Sequence, residues 1–420
     1  MKSHYQILII GGGTAGIMTA ARLLKKDNRL DIAIIEPADT HYYQPAWTLV
    51  GAGTYRYKKT AKPMASVIPK KVDWIKDFAS AFDPENNSVS TQSNGNITYD
   101  YLVVAPGLVM EPSMIEGLQE ALDKGVVCSN YTNPKHTWEV IKNFKGGNAI
   151  FTQPTTPIKC GGAPQKIAYL AADYFKKKGI DTTSNVIFAT PGSVIFGVKT
   201  IRDTLMKVIG RYGIHFKPFY APHKIDAENK FIYFRHVAPE ENKCVINEDA
   251  TIGEVSTEDS IIKLPFDMLH IAPPQAAPKF IRTSSLVNDA GWLDVDHHSL
   301  QHNKYLNIFG LGDVAALPTA KTGAAIRKQA PVVVDNILRL LKHQEASNKE
   351  YNGYSSCPLV TGYGKMTLAE FDYDGNFTPD PKLKRMFVFN SAKEHWRLYM
   401  FKKVMLPYLY WKKMLKGKDV

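Results

Sequence analysis

In the strand-like stretch Gln6-Ile-Leu-Ile-Ile10 the four residues after Gln6 are an unbroken apolar run, and the polarity pattern changes period just after it. From residue 17 to residue 26 apolar positions recur at helical spacing, and in the strand-like stretch 31–35 the residues after Asp31 are again continuously apolar up to Glu36. A short apolar run bounded by turn residues suits a strand buried on both faces, and the 3.6-residue repeat suits a helix packed on it. Residues 5–36 therefore predict one β-α-β unit, with Gly11-Gly-Gly-Thr-Ala-Gly16 at the strand-to-helix turn. Apolar runs recur at 101–104, 148–152, 185–190 and 305–309, and a helical pattern follows Cys160-Gly-Gly162. Strands alternating with helices predict an α/β protein with two Rossmann-like, dinucleotide-binding-type domains.

The first turn carries specific chemistry. Gly11, Gly13 and Gly16 form G-x-G-x-x-G around Thr14 and Ala15, between a strand and a helix. The first glycine permits the turn, the second lets backbone approach a pyrophosphate, and the third lets helix pack on strand. Glu36, twenty residues past Gly16, stands where a carboxylate accepts hydrogen bonds from ribose hydroxyls. Strands ending at Ala105-Pro-Gly107 and Gly310-Leu-Gly-Asp313 resemble the other two cofactor fingerprints of flavoproteins with two dinucleotide domains, where the Gly-Asp aspartate holds FAD. The FAD-binding domain is then discontinuous, 1–115 and 290–345, with a second unit at 116–289 and a C-terminal region at 346–420. In the second unit the turn after residues 148–152 lacks a glycine fingerprint. Pro154 and Pro157 have no amide to offer a phosphate, and the strand 185–190 ends in Pro191-Gly192 without an acidic ribose ligand. Electrons are expected to reach the flavin from something other than NAD(P)H.

Four cysteines in 420 residues, none at CxxC or zinc spacing, exclude a disulfide scaffold, so any thiol pair joins residues distant in sequence. Cys160 sits before a helix and beside Lys159, both of which favour a thiolate; a small buried filler is the alternative, though it leaves Gly161 and Gly162 unexplained. Cys357 has only a turn-like context to present it, and Cys244 is expected to be silent. His297, His298 and His302 surround a turn without thiolate neighbours and are expected to be surface residues, so no metal is predicted.

Pro157-Ile-Lys-Cys-Gly-Gly-Ala-Pro-Gln-Lys166, Tyr42-Tyr-Gln-Pro-Ala-Trp47, Leu317-Pro-Thr-Ala-Lys-Thr322 and Cys357-Pro-Leu-Val-Thr-Gly-Tyr363 resemble the sulfide:quinone oxidoreductases, chiefly the branch containing the mitochondrial enzymes. The likeness runs almost end to end. It implies that Cys160 and Cys357 are the redox-active pair beside the flavin and that Gln44, Lys321, Thr322 and Gly323 contact FAD. It also implies hydrogen sulfide and a membrane quinone as substrates, with sulfide, cyanide, sulfite or a small thiol taking the sulfane sulfur. Cys128 is similar in placement to a third cysteine of bacterial branches, which in some members bonds to the flavin; that bond is not assigned here. No histidine falls in a motif that names the catalytic base.

Net charge is +12, and the last forty residues supply +9 of it: nine Lys and two Arg against Glu394 and Asp419. A nucleic-acid tail is one reading. Trp396, Tyr399, Phe401, Tyr408, Tyr410 and Trp411 interleaved with the cations favour instead an amphipathic region on lipid, drawn as two short helices broken at Pro407. An amphipathic helix packed on its own domain is the bland alternative. The longest uncharged run there is eight residues, 404–411, too short to span a bilayer. The strand at Gln6 starts too early for a signal or transit peptide, so the expected location is peripheral, on a bacterial cytoplasmic membrane; oligomeric state is left open. Deleting 395–420 is expected to release the protein from lipid and spare its thiol chemistry. The competing readings are a type II NADH:quinone oxidoreductase, a flavocytochrome sulfide dehydrogenase subunit and a non-catalytic flavoprotein resembling apoptosis-inducing factor.

Overall fold

The computed structural model describes residues 2–239, 248–257, 260–345 and 349–419; Cys244 lies outside them. Strand β1 (His4–Ile10) leads through α1 (Thr14–Lys26) to β2 (Ile32–Ile35). It lies between β2 and β3 (Asn96–Val104), parallel to both. Its apolar run has a two-sided cause. Ile7 and Ile9 pack with α1 on one face, while Leu8 and Ile10 pack on the other with Leu102 and Trp292. Each such side chain contributes roughly 1.5–3 kcal/mol on full burial.

The nine-residue β3 is shared along its length. Its first half pairs antiparallel with Ser88–Thr91, and Leu102 to Val104 pair parallel with the distant strand Ile308–Gly310. Seven strands result, drawn from residues 4–104 and 308–310. A second parallel sheet orders His215–Pro218, β5 (Ser184–Thr190), β4 (Gly147–Thr152) and Met268–His270, with α2 (Ala163–Lys178) following β4 in sequence. A four-stranded antiparallel sheet within 220–265 shares a core with it through Ile150, Ile187, Ile232 and Phe234. α3 (Gly323–Leu340) packs against α1. The chain then forms a hairpin, Ser355–Gly362 with Lys365–Phe371, so Cys357 lies in a strand rather than in the expected turn.

The C-terminal segment also departs from expectation. Helix runs without interruption through Trp396–Met400, Phe401–Met405 and Leu406–Lys412. A proline lacks the N–H and crowds the carbonyl four residues back. The i→i+5 turn at Phe401–Met405, immediately before Pro407, absorbs that defect without a break. Tyr399, Tyr410 and Trp411 are buried; Trp396 and Tyr408 are exposed, joined by Phe387, Phe389, Met400, Val404 and Met405. No helix among the described residues is long and apolar enough to cross a membrane. His302 is also buried, its Nε2 on the Leu286 carbonyl, so it is not the surface histidine expected.

Candidate active site

Ile10, Ile35, Val104 and Gly310 lie in register across the first sheet. All the strand-to-loop turns singled out in this sheet therefore open on one edge, at the point where connections leave β1 in opposite directions. Gly11 has φ +100°, and a Cβ there would sit 2.5 Å from the Ala105 carbonyl oxygen; at Gly16 it would sit 2.0 Å from that of Gly11. These two glycines shape the turn from behind. A cavity of about 610 Å³ runs along the edge, lined by Gly13, Thr14, Ala15, Glu36 and Gly107. It continues past Gln44, Cys160, Asp313, Lys321, Thr322 and Gly323. A Cβ on Gly13 would meet nothing within 4 Å, which leaves its backbone open to a ligand. Glu36 accepts the Gly12 and Ala38 amides at 2.7 and 2.8 Å, one on each oxygen, and a carboxylate retains further lone pairs for a ribose.

Burial raises the pKa of Asp313, and the Lys159 and Lys321 ammonium groups oppose that shift. Burial lowers Lys321 to about 8; its Nζ donates to the Ala315 carbonyl at 2.9 Å and stands 4.0 Å from the Trp292 ring centroid. Thr322 caps α3 by accepting the Ala325 amide at 3.1 Å. The Cys160 amide donates to the Lys321 carbonyl at 2.7 Å, so the cysteine loop and the α3 loop are joined through backbone.

Cys160 is held in the left-handed region, φ +52°. Its carbonyl accepts the Ala163 amide of the first turn of α2 at 2.7 Å. A Cβ on Gly162 would fall 2.6 Å from Cys357 Sγ, so this glycine makes room for the second thiol. Cys160 and Cys357 are free thiols close enough to interact directly as a hydrogen-bonding pair. That interaction, followed by the charge on Lys166, holds the Cys160 pKa well below the ordinary value, and the same interaction pushes Cys357 well above it. The cation beside Cys160 is not Lys159, whose Nζ reaches Gln44 Oε1 at 2.6 Å. It is Lys166, with Nζ 3.0 Å from Cys160 Sγ. Burial disfavours the Lys166 charge, yet the cysteine pair holds its pKa above the ordinary value. Lys402 of the C-terminal helix is the second buried ammonium group beside the pair; burial and then Lys166 lower it to about 7.

Sequence reasoning missed both lysines. Lys166 had a signal, being the single cation among Ala163 to Ala172, all of them buried. Lys402 had none, since Lys403 beside it reads the same. Cys128 is buried in the core that also holds Phe151, its thiol pushed up to about 12 by burial, and it is not among the residues lining the cavity.

The pyridine nucleotide-disulphide oxidoreductase family matches residues 5–335. The mitochondrial sulfide:quinone oxidoreductase of Mus musculus is 39% identical over 418 residues, 99% of this chain and 87% of the relative. That of Dictyostelium discoideum is 40% identical over 425 residues, with 100% and 87% covered. The crystal structure of the sulfide:quinone oxidoreductase from Aquifex aeolicus superposes with a TM-score of 0.76 at 21% identity, covering 99% of this chain and 92% of that one. With Cys160 on the wall of the cavity, Cys357 beside it and relatives matched along nearly the whole of this chain, the chain belongs to the sulfide:quinone oxidoreductase family.

Proposed function

We propose that this protein oxidises hydrogen sulfide at Cys160 and Cys357 and passes the electron pair through FAD to a quinone. The observation that carries the proposal is the thiol pair with its low-pKa member on the wall of the cavity that the dinucleotide residues line. The residues fit FAD: Gly13 and the first turn of α1 for pyrophosphate, Glu36 for ribose, and Asp313, Lys321, Thr322 and Gly323 for the flavin half. When bound there, FAD accepts two electrons from the thiols and hands them to the quinone. A nicotinamide dinucleotide is disfavoured at the second sheet, where at the start of α2 the Ala163 amide is taken by the Cys160 carbonyl and Pro164 has no amide to offer a phosphate.

In the oxidised pair HS⁻ attacks one sulfur of the disulfide and the other departs as thiolate. The Lys166 ammonium group, 3.0 Å from Cys160 Sγ, stabilises a thiolate there, which favours departure of Cys160 and places the persulfide on Cys357. Lys166 balances the departing charge. An incoming nucleophile, whether sulfide, cyanide, sulfite or a small thiol, takes the outer sulfur and restores the Cys357 thiol; oxidation of the pair back to disulfide then releases two electrons. Pro358, Leu368, Leu383, Phe401, Leu406 and Leu409 give the cavity an apolar arm suited to a quinone ring. The exposed apolar stripe of the C-terminal helix supports peripheral attachment to the membrane that holds the quinone.

The test is anaerobic mixing of oxidised holoprotein with sulfide or NADH while the flavin absorbance is followed. Sulfide should bleach it rapidly, and Cys160→Ser and Cys357→Ser should each abolish this with FAD retained. Rapid bleaching by NADH alone, or by sulfide in Cys357→Ser, would refute the proposal.

A further inference from the structure

The C-terminal helix does more than present a face to lipid. Leu409, Tyr410 and Met414 line the same cavity as Gly12, Gly13 and Thr14. The Tyr410 hydroxyl lies 2.7 Å from Thr14 Oγ1 and 2.5 Å from His41 Nε2, and His41 Nδ1 lies 3.1 Å from the Gly12 carbonyl oxygen. A carbonyl can only accept, so Nδ1 carries the proton and Nε2 is the acceptor. The chain of bonds is thereby directed: Thr14 donates to Tyr410, Tyr410 to His41, and His41 to the glycine-rich turn. Burial lowers the His41 pKa to about 4, which keeps the ring neutral and the chain in one direction at ordinary pH. The Tyr410 ring also packs against Tyr43, centroids 4.5 Å apart with the planes tilted by 44°.

Beyond Tyr410 the segment is fastened along α1. Met414 and Leu415 share a core with Ile17, Met18 and Leu23. A Cβ on Gly417 would sit 2.8 Å from the Ala21 carbonyl carbon, and Arg22 meets Asp419 at 2.6 Å.

We propose that the segment carrying Tyr410 and Met414 is the closing wall of the dinucleotide site, latched to the glycine-rich turn by Tyr410, so that FAD leaves only when the helix lifts. Nothing else given by the fold requires a tyrosine from this helix to bond to the first residue of α1. The inference takes the identity of the cofactor from the function proposed above, but it concerns retention, so a failure of sulfide chemistry would leave it standing.

The experiment follows FAD release from purified holoprotein after dilution, by the rise in free flavin fluorescence, alongside far-UV melting. Tyr410→Phe keeps the ring and removes both bonds; release should quicken about tenfold with little change in melting. Thr14→Val removes one bond and should have a smaller effect. The double variant should release no faster than Tyr410→Phe alone, because both changes act on one chain of bonds. Release from Tyr410→Phe at the wild-type rate would overturn the proposal, as would effects that multiply in the double variant. Should Tyr410→Phe fail to fold, wild-type release from Thr14→Val would overturn it equally.

Discussion

At Lys402 burial has brought an ammonium group to a pKa of about 7, so its charge beside Cys160 is present below neutrality and lost above it. Between about 7 and the ordinary lysine value the unfolded chain binds a proton that the folded chain does not, so stability rises with pH through that window. Lys402→Met should flatten this dependence, seen as melting temperatures that vary less between pH 7 and 10. The same change removes a cation from the thiolate's surroundings, so the pH midpoint for alkylation of Cys160 should move up; an unchanged midpoint would mean that Cys357 and Lys166 set it without Lys402. These effects show where residue-level reading stops. Cys160 was legible because a thiol before a helix, flanked by glycines, has a local reason to be reactive. Its pairing with Cys357 came only from the family likeness, and Lys402 was not foreseen at all, because both reach it through tertiary packing, while Lys159 turns away to Gln44.

Along the C-terminal helix, Trp396, Met400, Val404 and Tyr408 recur every four residues and all are exposed. A four-residue repeat drifts around a 3.6-residue helix. The wide turn at Phe401–Met405 offsets that drift and keeps the stripe on one side. Arg397 stands 4.7 Å from the Trp396 ring centroid and 5.7 Å from that of Phe387, which joins the stripe to the exposed Phe387 and Phe389. Charge and aromatic content pointed to this element in the sequence. Which aromatics face outward did not show, because Pro407 suggested a break and the turn that accommodates it shifts the phase of everything before it. Trp396→Ser with Tyr408→Ser should reduce co-sedimentation with anionic vesicles while leaving sulfide-dependent flavin bleaching intact. Equal co-sedimentation at low salt, where attraction of roughly 1 kcal/mol per cation is least screened, would assign binding to other surfaces.

Across the molecule, the edge that carries the cofactor turns was readable because β1, β3 and the strand Ile308–Gly310 run into glycine-bearing loops and β2 runs into Glu36, and registry of the parallel sheet aligns those ends. The closing wall was not readable, since nothing near Thr14 in sequence anticipates Tyr410. This revises the expected result of deleting 395–420. Such a deletion removes Lys402 from the thiols, Tyr410 from the glycine-rich turn, and Trp411, Met414 and Leu415 from the core of the first sheet. The shortened protein should retain FAD poorly and melt lower; full FAD occupancy after gel filtration would show the segment to be dispensable.

The splitting of β3 between an early and a late partner has a consequence in time. Synthesis proceeds from the N-terminus at roughly 5–20 residues per second, so the stretch from Val104 to Ile308 takes on the order of ten seconds or more to emerge. Throughout that interval the upper half of β3 has β1 on one side and no neighbour on the other. An unfilled strand edge is a template for wrong pairing. The nascent protein therefore passes through a stage that is already folded enough to expose a sheet and not yet able to grip its cofactor, and it is at this stage that dependence on chaperones should be concentrated.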